Sequence, residues 1–421
     1  MRLLLRGGTV IDTDPEPTVR PNTDVLIEDG RILAVGPGLD VQDAEVIDAS
    51  GRYVLPGFVD THRHVWETAL RGIGADLDLG GYLYRVLGEL GPRFTPEDLY
   101  TGNLAGALEC LDAGITTVQD FSHIQSSAEH TDALIGGLRA SGIRAIFGYG
   151  YPPLADVPLD QAEVARVRDT YFPDQPGLLT MALAAIGPSY ASAASVESDW
   201  RLAADLGLPI VAHVSSGPVA EKPVEFLAQR NLLGPRTLYV HGNSLPDSEL
   251  KLIAESGGAV SITPAIEEQM SVGAPMVGRL RAHRVTTGLG IDVVAAVAGD
   301  MFSVMRATLA IGTRGTGSKP TAAEVLRLAT LDGARALGLA DQVGSLQVGK
   351  QADIQLIRAD DINLAGGSHD PIATVVTGAH PGNVDTVLVA GVPVKRQGRL
   401  LHPALTETLS ALSATTRRVV A

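Results

Sequence analysis

Two histidines stand two residues apart in VLPGFVDTHRHVWET, His62 and His64, directly after an apolar run that ends in aspartate. On a strand, residues i and i+2 face the same way, so the two imidazoles point together. Side by side they make a poor core and a good two-toothed clamp for a metal ion. Four later strand-like runs also deliver a histidine or an aspartate near their ends. ITTVQDFSH carries Asp120 and His123, LPIVAHV carries His213, TLYVHG carries His241, and VTTGLGID closes on Asp292. Nitrogen and carboxylate donors without thiols suit zinc, and ferrous iron, cobalt or manganese less well. The spacing thus predicts a metal site among His62, His64, His213, His241 and Asp292.

Something must bring these distant residues to one place. Between Phe58 and Asp292 the chain alternates strand-like apolar runs with helical stretches such as PEDLYTGNLAGALECLDAG and DSELKLIAESG, which close on glycine as a helix end prefers. Strand–helix alternation repeated about eight times predicts an α/β fold, a (β/α)8 TIM barrel. Chemistry then belongs at the C-terminal strand ends, where these residues lie. An open doubly wound sheet is the alternative, weakened because no GxGxxG follows an early strand. Short strand patterns with turn signals open the chain (LLLRGGTVID, DVLIEDGRILAVG) and return at its end (QADIQLIR, DTVLVAGVPVKRQGRL). DG at Asp29–Gly30 and SG at Ser50–Gly51 sit where hairpin turns are expected. The expected organisation is a composite β-sandwich domain from residues 1–55 and 345–421 and a barrel from residues 56–344.

GFVDTHRH, AHV, YVHGNSL and GLGID, in this order, resemble the amidohydrolase superfamily over nearly the whole chain, including the late VGSLQVGKQADIQLI segment. The DMF after GIDVVAAVAG resembles its cytosine-deaminase, S-adenosylhomocysteine-deaminase and triazine-hydrolase branch. Two-metal members bridge their ions with a carboxylated lysine on an early-middle strand; here the first lysine is Lys222, and LTMALAAIGP offers no glutamate instead. The resemblance therefore implies one divalent metal per chain, held by His62, His64, His213 and Asp292, and a small-molecule substrate. A metal of this kind lowers the pKa of a coordinated water. Asp292 is expected to accept that water's proton, and the resemblance gives His241 either a weak ligand role or, more often in this branch, a hydrogen bond to the water. An amine then leaves a ring amidine or amide carbon, making the chain a deaminase-like hydrolase of a non-peptide C–N bond.

One departure stands out. Deaminases of this branch carry a glutamate three residues after the strand-5 histidine, and here that position is Ser216, in HVSSGPVAE. Glu221, further on, is expected to lie too far away. Glu267, in VSITPAIEEQM, is the expected substitute acid, with Glu268 next to it; His123 and Trp66 are expected to touch substrate. Arg63 should face away from the centre. Hydrolysis of another leaving group, a metal-assisted elimination or isomerisation, and a non-catalytic scaffold are the alternatives the missing glutamate leaves open.

Composition narrows the classes. Aromatic residues are only 4% and the formal net charge is −15, which argue against base-stacking platforms, nucleic acid and anionic membrane surfaces as partners. No apolar run reaches membrane-spanning length. The single cysteine, Cys110, rules out an internal disulfide and reads as a small buried residue in a cytosolic protein. It also excludes the deaminase class built on P-C-x-x-C, while the lack of GxSxG excludes a nucleophile elbow. His130, His283, His369, His380 and His402 read as surface or loop residues. A homodimer is the expected assembly.

Overall fold

The computed structural model describes residues 2–151, 159–173, 177–215, 217–274, 276–312 and 319–421. Five strands open the chain: β1 (Arg2–Asp12), β2 (Thr18–Glu28), β3 (Arg31–Gly36), β4 (Glu45–Asp48) and β5 (Arg52–Pro56). Eight follow, separated by helices: β6 (Phe58–Arg63), β7 (Ile115–Ser122), β8 (Arg144–Tyr149), β9 (Leu179–Ala185), β10 (Ile210–Val214), β11 (Thr237–His241), β12 (Ala259–Ile262) and β13 (Thr286–Leu289). Four close it: β14 (Ile354–Arg358), β15 (Val384–Val389), β16 (Val392–Arg396) and β17 (Arg399–Leu400).

β6 to β13 form an eight-stranded sheet, each strand pairing in parallel with the next in sequence. The sheet closes through main chain just past its last strand. Asp292 N–H donates to His62 O at 2.9 Å and His64 N–H donates to Asp292 O at 3.0 Å. The barrel predicted from the alternation is thus present, and its seam runs through the residues expected to bind metal. Its interior is filled by Val59, Phe121, Ile146, Val211, Leu238 and Val240. A Thr61–Ser261 hydroxyl pair at 2.6 Å, with both residues buried, lies between β6 and β12.

The first and last strands build one nine-stranded sheet. β5 joins its two halves, pairing parallel with β1 and antiparallel with β14. Leu3, Leu5, Val25, Val54, Ile354 and Leu388 belong to its own apolar cluster. Asp29 and Gly30 take left-handed φ of 48° and 79°, as a two-residue hairpin between β2 and β3 requires. Ser50–Gly51 departs from expectation. β4 and β5 both pair in parallel with β1 at successive positions, so the turn joins neighbours along one strand and makes no hairpin.

The helix Pro96–Asp112 begins with Thr95 and Asp98 in a reciprocal capping box and Pro96 at its first position. Gly142, Gly207 and Gly257 end three other helices in left-handed conformation. The final helix, Leu405–Val420, returns to the barrel. Thr415 donates to Asp98 and Thr416 to Ala69 O, each at 2.8 Å. No helix among the described residues is long and apolar enough to cross a membrane.

Candidate active site

His62 and His64 end β6 with both rings turned into the barrel mouth, their centroids 4.8 Å apart. His213 on β10 lies 4.9 Å from the His62 ring, and His241 at the end of β11 lies 5.4 Å from His213. Asp292 reaches across from the segment after β13. Its Oδ1 is 3.4 Å from His62 Nε2 and 3.3 Å from His64 Nε2, and its Oδ2 is 3.5 Å from His241 Nε2. Three strands and one loop therefore place five donors around one point. His241 and Asp292 both adopt left-handed backbone, φ 67° and 74°, which turns their side chains inward at the strand ends.

Two of the rings are oriented by contacts on their outer nitrogens. His64 Nδ1 lies 2.8 Å from Phe121 O, so it carries the proton and leaves the Nε2 lone pair inward. His241 Nδ1 lies 3.3 Å from Glu267 Oε1, with the same consequence for its Nε2. Neither ring nitrogen of buried His62 has a hydrogen-bond partner. Orphaned buried nitrogens are costly in an ordinary core and ordinary in a metal site. The candidate ligand atoms of His62, His64 and His213 lie within 4.8 Å of one another, as do those of His62, His241 and Asp292. Burial pushes the Asp292 carboxyl up, but the surrounding histidines pull it well below the usual carboxylate range, so it stays ionised. Burial drives the His62 imidazole down to about 4 and holds His213 well below its ordinary value, keeping both neutral.

Around this centre the expected residues separate by role. Asp120 faces away, accepting Val65 N–H at 3.1 Å and Asn103 Nδ2 at 3.2 Å, and so pins the turn that follows the histidine pair. Arg63 points outward between barrel and helix, ion-paired with Glu109. His123 lies on the His64 ring, centroids 4.2 Å apart, and lines a cavity of about 420 Å³ above the metal-type cluster. Trp66 is fully buried behind it and donates Nε1–H to His123 Nδ1 at 3.3 Å, so it supports the cavity wall rather than forming it. Glu267 sits in the short helix Pro264–Gln269, buried behind His241. Its oxygens accept from Thr263 N at 2.8 Å and Asn243 Nδ2 at 3.1 Å besides His241, and it is not in the cavity lining. Glu268 and Glu221 are exposed, and Ser216 lies outside the described residues. Cys110 is buried, as expected.

Two residues went unread in the sequence. Glu67 is fully buried three positions after His64; Tyr82 OH donates to its Oε1 at 2.5 Å, and its Oε2 has no partner. Burial lifts its carboxyl to about 7. The motif HxHxxE carried the signal for Glu67, because a tight turn after the strand returns the third residue to the same side. Nothing in the apolar stretch around Tyr82 marked it.

The amidohydrolase family model matches residues 53–394. The chain belongs to the amidohydrolase family. It is 31% identical to a 5-methylthioadenosine/S-adenosylhomocysteine deaminase of Symbiobacterium thermophilum, over 93% of this chain and 92% of that protein. The crystal structure of an adenosine deaminase from Xanthomonas campestris with bound zinc superposes with TM-score 0.89 at 27% identity, covering 99% of this chain and 98% of that one. A triazine hydrolase variant superposes with TM-score 0.89 at 25% identity, covering 99% of each chain. This amidohydrolase is an enzyme acting on C–N bonds of small molecules, and its histidine–aspartate cluster fits a divalent metal.

Proposed function

We propose that the enzyme is a hydrolytic deaminase of a small aminated N-heterocycle and holds one zinc ion through His62, His64, His213 and Asp292. The observation that carries this reading is the convergence of His62, His64, His213, His241 and Asp292 on one point, with Nδ1 of His64 and of His241 engaged from outside it. A bound divalent metal supplies Lewis acidity that brings the pKa of water toward neutrality.

The protein's own groups do the rest. Asp292, held ionised by its histidine neighbours, takes the proton of the attacking water and returns it to the leaving amine. His241 steadies the developing tetrahedral centre through Nε2, and Glu267 fixes the ring orientation from behind. His123, whose Nδ1 is engaged by Trp66, offers Nε2–H to the heterocycle's edge. The position of the branch's usual strand-5 glutamate is thus served by Asp292 and His241, with Glu267 acting through His241. A cytosolic setting and a homodimer complete the reading, the first resting on the single cysteine and the second on the habit of the proteins it resembles.

The test pairs metal content by elemental analysis with ammonia release from a panel of aminated heterocycles. About one zinc per chain with ammonia released is the expected result. One metal with no ammonia from any member moves the reaction to another leaving group, and no metal after reconstitution refutes the assignment.

A further inference from the structure

Among the described residues, the cavity above the cluster is polar at its floor and at the Tyr190–Ser215 hydroxyl pair, and otherwise mostly apolar. Among its described lining residues, Asp292 is the one formally charged side chain, and it belongs to the metal-type centre. The walls are Leu83, Leu87, Ile186, Ile266, Met270 and Val272. Three tyrosines reach the lining, but their hydroxyls are engaged: Tyr82 with Glu67, Tyr151 with Asp199, and Tyr190 with Ser215. The lip exposes Leu79 and Leu83 by 37 and 38%, beside the ring of Tyr190 at 43%.

We infer that this cavity selects an uncharged heterocycle carrying apolar substituents, and discriminates against one bearing a sugar diol or a charged tail. This rests on the reading of the floor as the site of C–N cleavage. A heterocycle whose amine-bearing carbon sits over Asp292 and His241 has one edge on His123, and its remaining substituents must lie against the walls. A diol or carboxylate there loses its water and meets no described lysine, arginine or free carboxylate. An alkyl group loses nothing and gains area. The Symbiobacterium thermophilum relative is named for substrates with a sugar and, in one case, an amino-acid tail. The cavity of this chain is built for a different body.

The experiment uses the full-length, zinc-loaded enzyme and one aminotriazine ring carrying N-methyl, N-ethyl, N-isopropyl or N-carboxymethyl groups, with 5′-deoxyadenosine and S-adenosylhomocysteine alongside. Dissociation constants and ammonia release are measured for each. Affinity is expected to tighten about fourfold per added methylene. The carboxymethyl compound and S-adenosylhomocysteine should bind about a hundredfold more weakly than the ethyl compound, or worse. Leu83→Arg, at the exposed lip, should improve carboxymethyl binding about tenfold or more.

Equal affinity for charged and alkyl compounds, tighter binding of either nucleoside, or no binding by any compound overturns the inference. So does a folded Leu83→Arg variant with no gain. The alkyl order without ammonia release supports it while refuting the deaminase reading. Ammonia release with a flat order does the reverse.

Discussion

Replacing Glu267 by glutamine keeps the shape of the side chain and removes its charge. Oε1 of the amide can still accept from Thr263 N–H and from His241 Nδ1–H, which now stand at 2.8 and 3.3 Å. The new NH2 faces Asn243 Nδ2, now a donor to Oε2 at 3.1 Å. Rotation of Asn243 relieves that conflict, because its Oδ1 has no partner, at the loss of its bond to Ala274 O. Stability should therefore fall by about 1 kcal/mol, one neutral hydrogen bond. The larger effect is on His241. Its bond to a carboxylate becomes a bond to a neutral amide, a difference of about 1–2 kcal/mol, and that bond matters most when Nε2 steadies charge. Turnover should drop roughly 5–30-fold. KM should stay put, since Glu267 does not line the cavity, and zinc content should stay full, since it touches none of the four proposed ligands. Steady-state kinetics, elemental analysis and a thermal melt on one preparation measure all of this. Turnover within twofold of the parent, with zinc intact, would show that Glu267 only caps its short helix. Zinc lost in step with activity would make it a structural support of the metal site.

His64→Asn should lose both metal and turnover; a full zinc complement with normal turnover would remove His64 from the ligand set. Cys110, buried and with its thiol pushed up to about 12 by that burial, should resist iodoacetamide near pH 8 in the native enzyme and label readily in guanidinium; rapid native labelling would contradict the packing. Asp98 holds Thr415 and Arg418 of the last helix. Burial raises its carboxyl, but hydrogen bonds from Thr95 and Thr415 and the charge of Arg418 take it below the ordinary value. Its stabilisation is thus full above the ordinary carboxylate pKa, about 3.9, and is lost as pH falls through the lowered value. Asp98→Asn should melt earlier at pH 7, with the gap to the parent closing below about pH 4; a pH-independent gap would mean the charge is irrelevant.

The barrel was legible because each strand is an apolar run and each major helix carries its own stop. The alternation rule also read Arg63 correctly, turning it from the centre to Glu109. What the sequence did not reveal depends on contacts between distant elements. Glu267 looks like a loop acid at the mouth, and only the pairing of β11 with β12 brings it behind His241. Trp66 looks like a wall beside the histidines, yet His123, 57 residues later, lies in front of it. The Ser50–Gly51 turn has hairpin chemistry, but which strand β5 joins is decided by β1 and β14.

The left-handed backbone at His241 and Asp292 bears on how such an enzyme ages. A residue with a Cβ in that region costs about 1 kcal/mol or more, and glycine is relieved of most of it. On the roles proposed for them, mutation to glycine at either position destroys chemistry while easing the main chain. Purifying selection on folding alone does not guard these two codons; only demand for the reaction does. When that demand lapses, decay should begin at 241 and 292 and leave well-folded, inert descendants whose barrels give no outward sign of the loss.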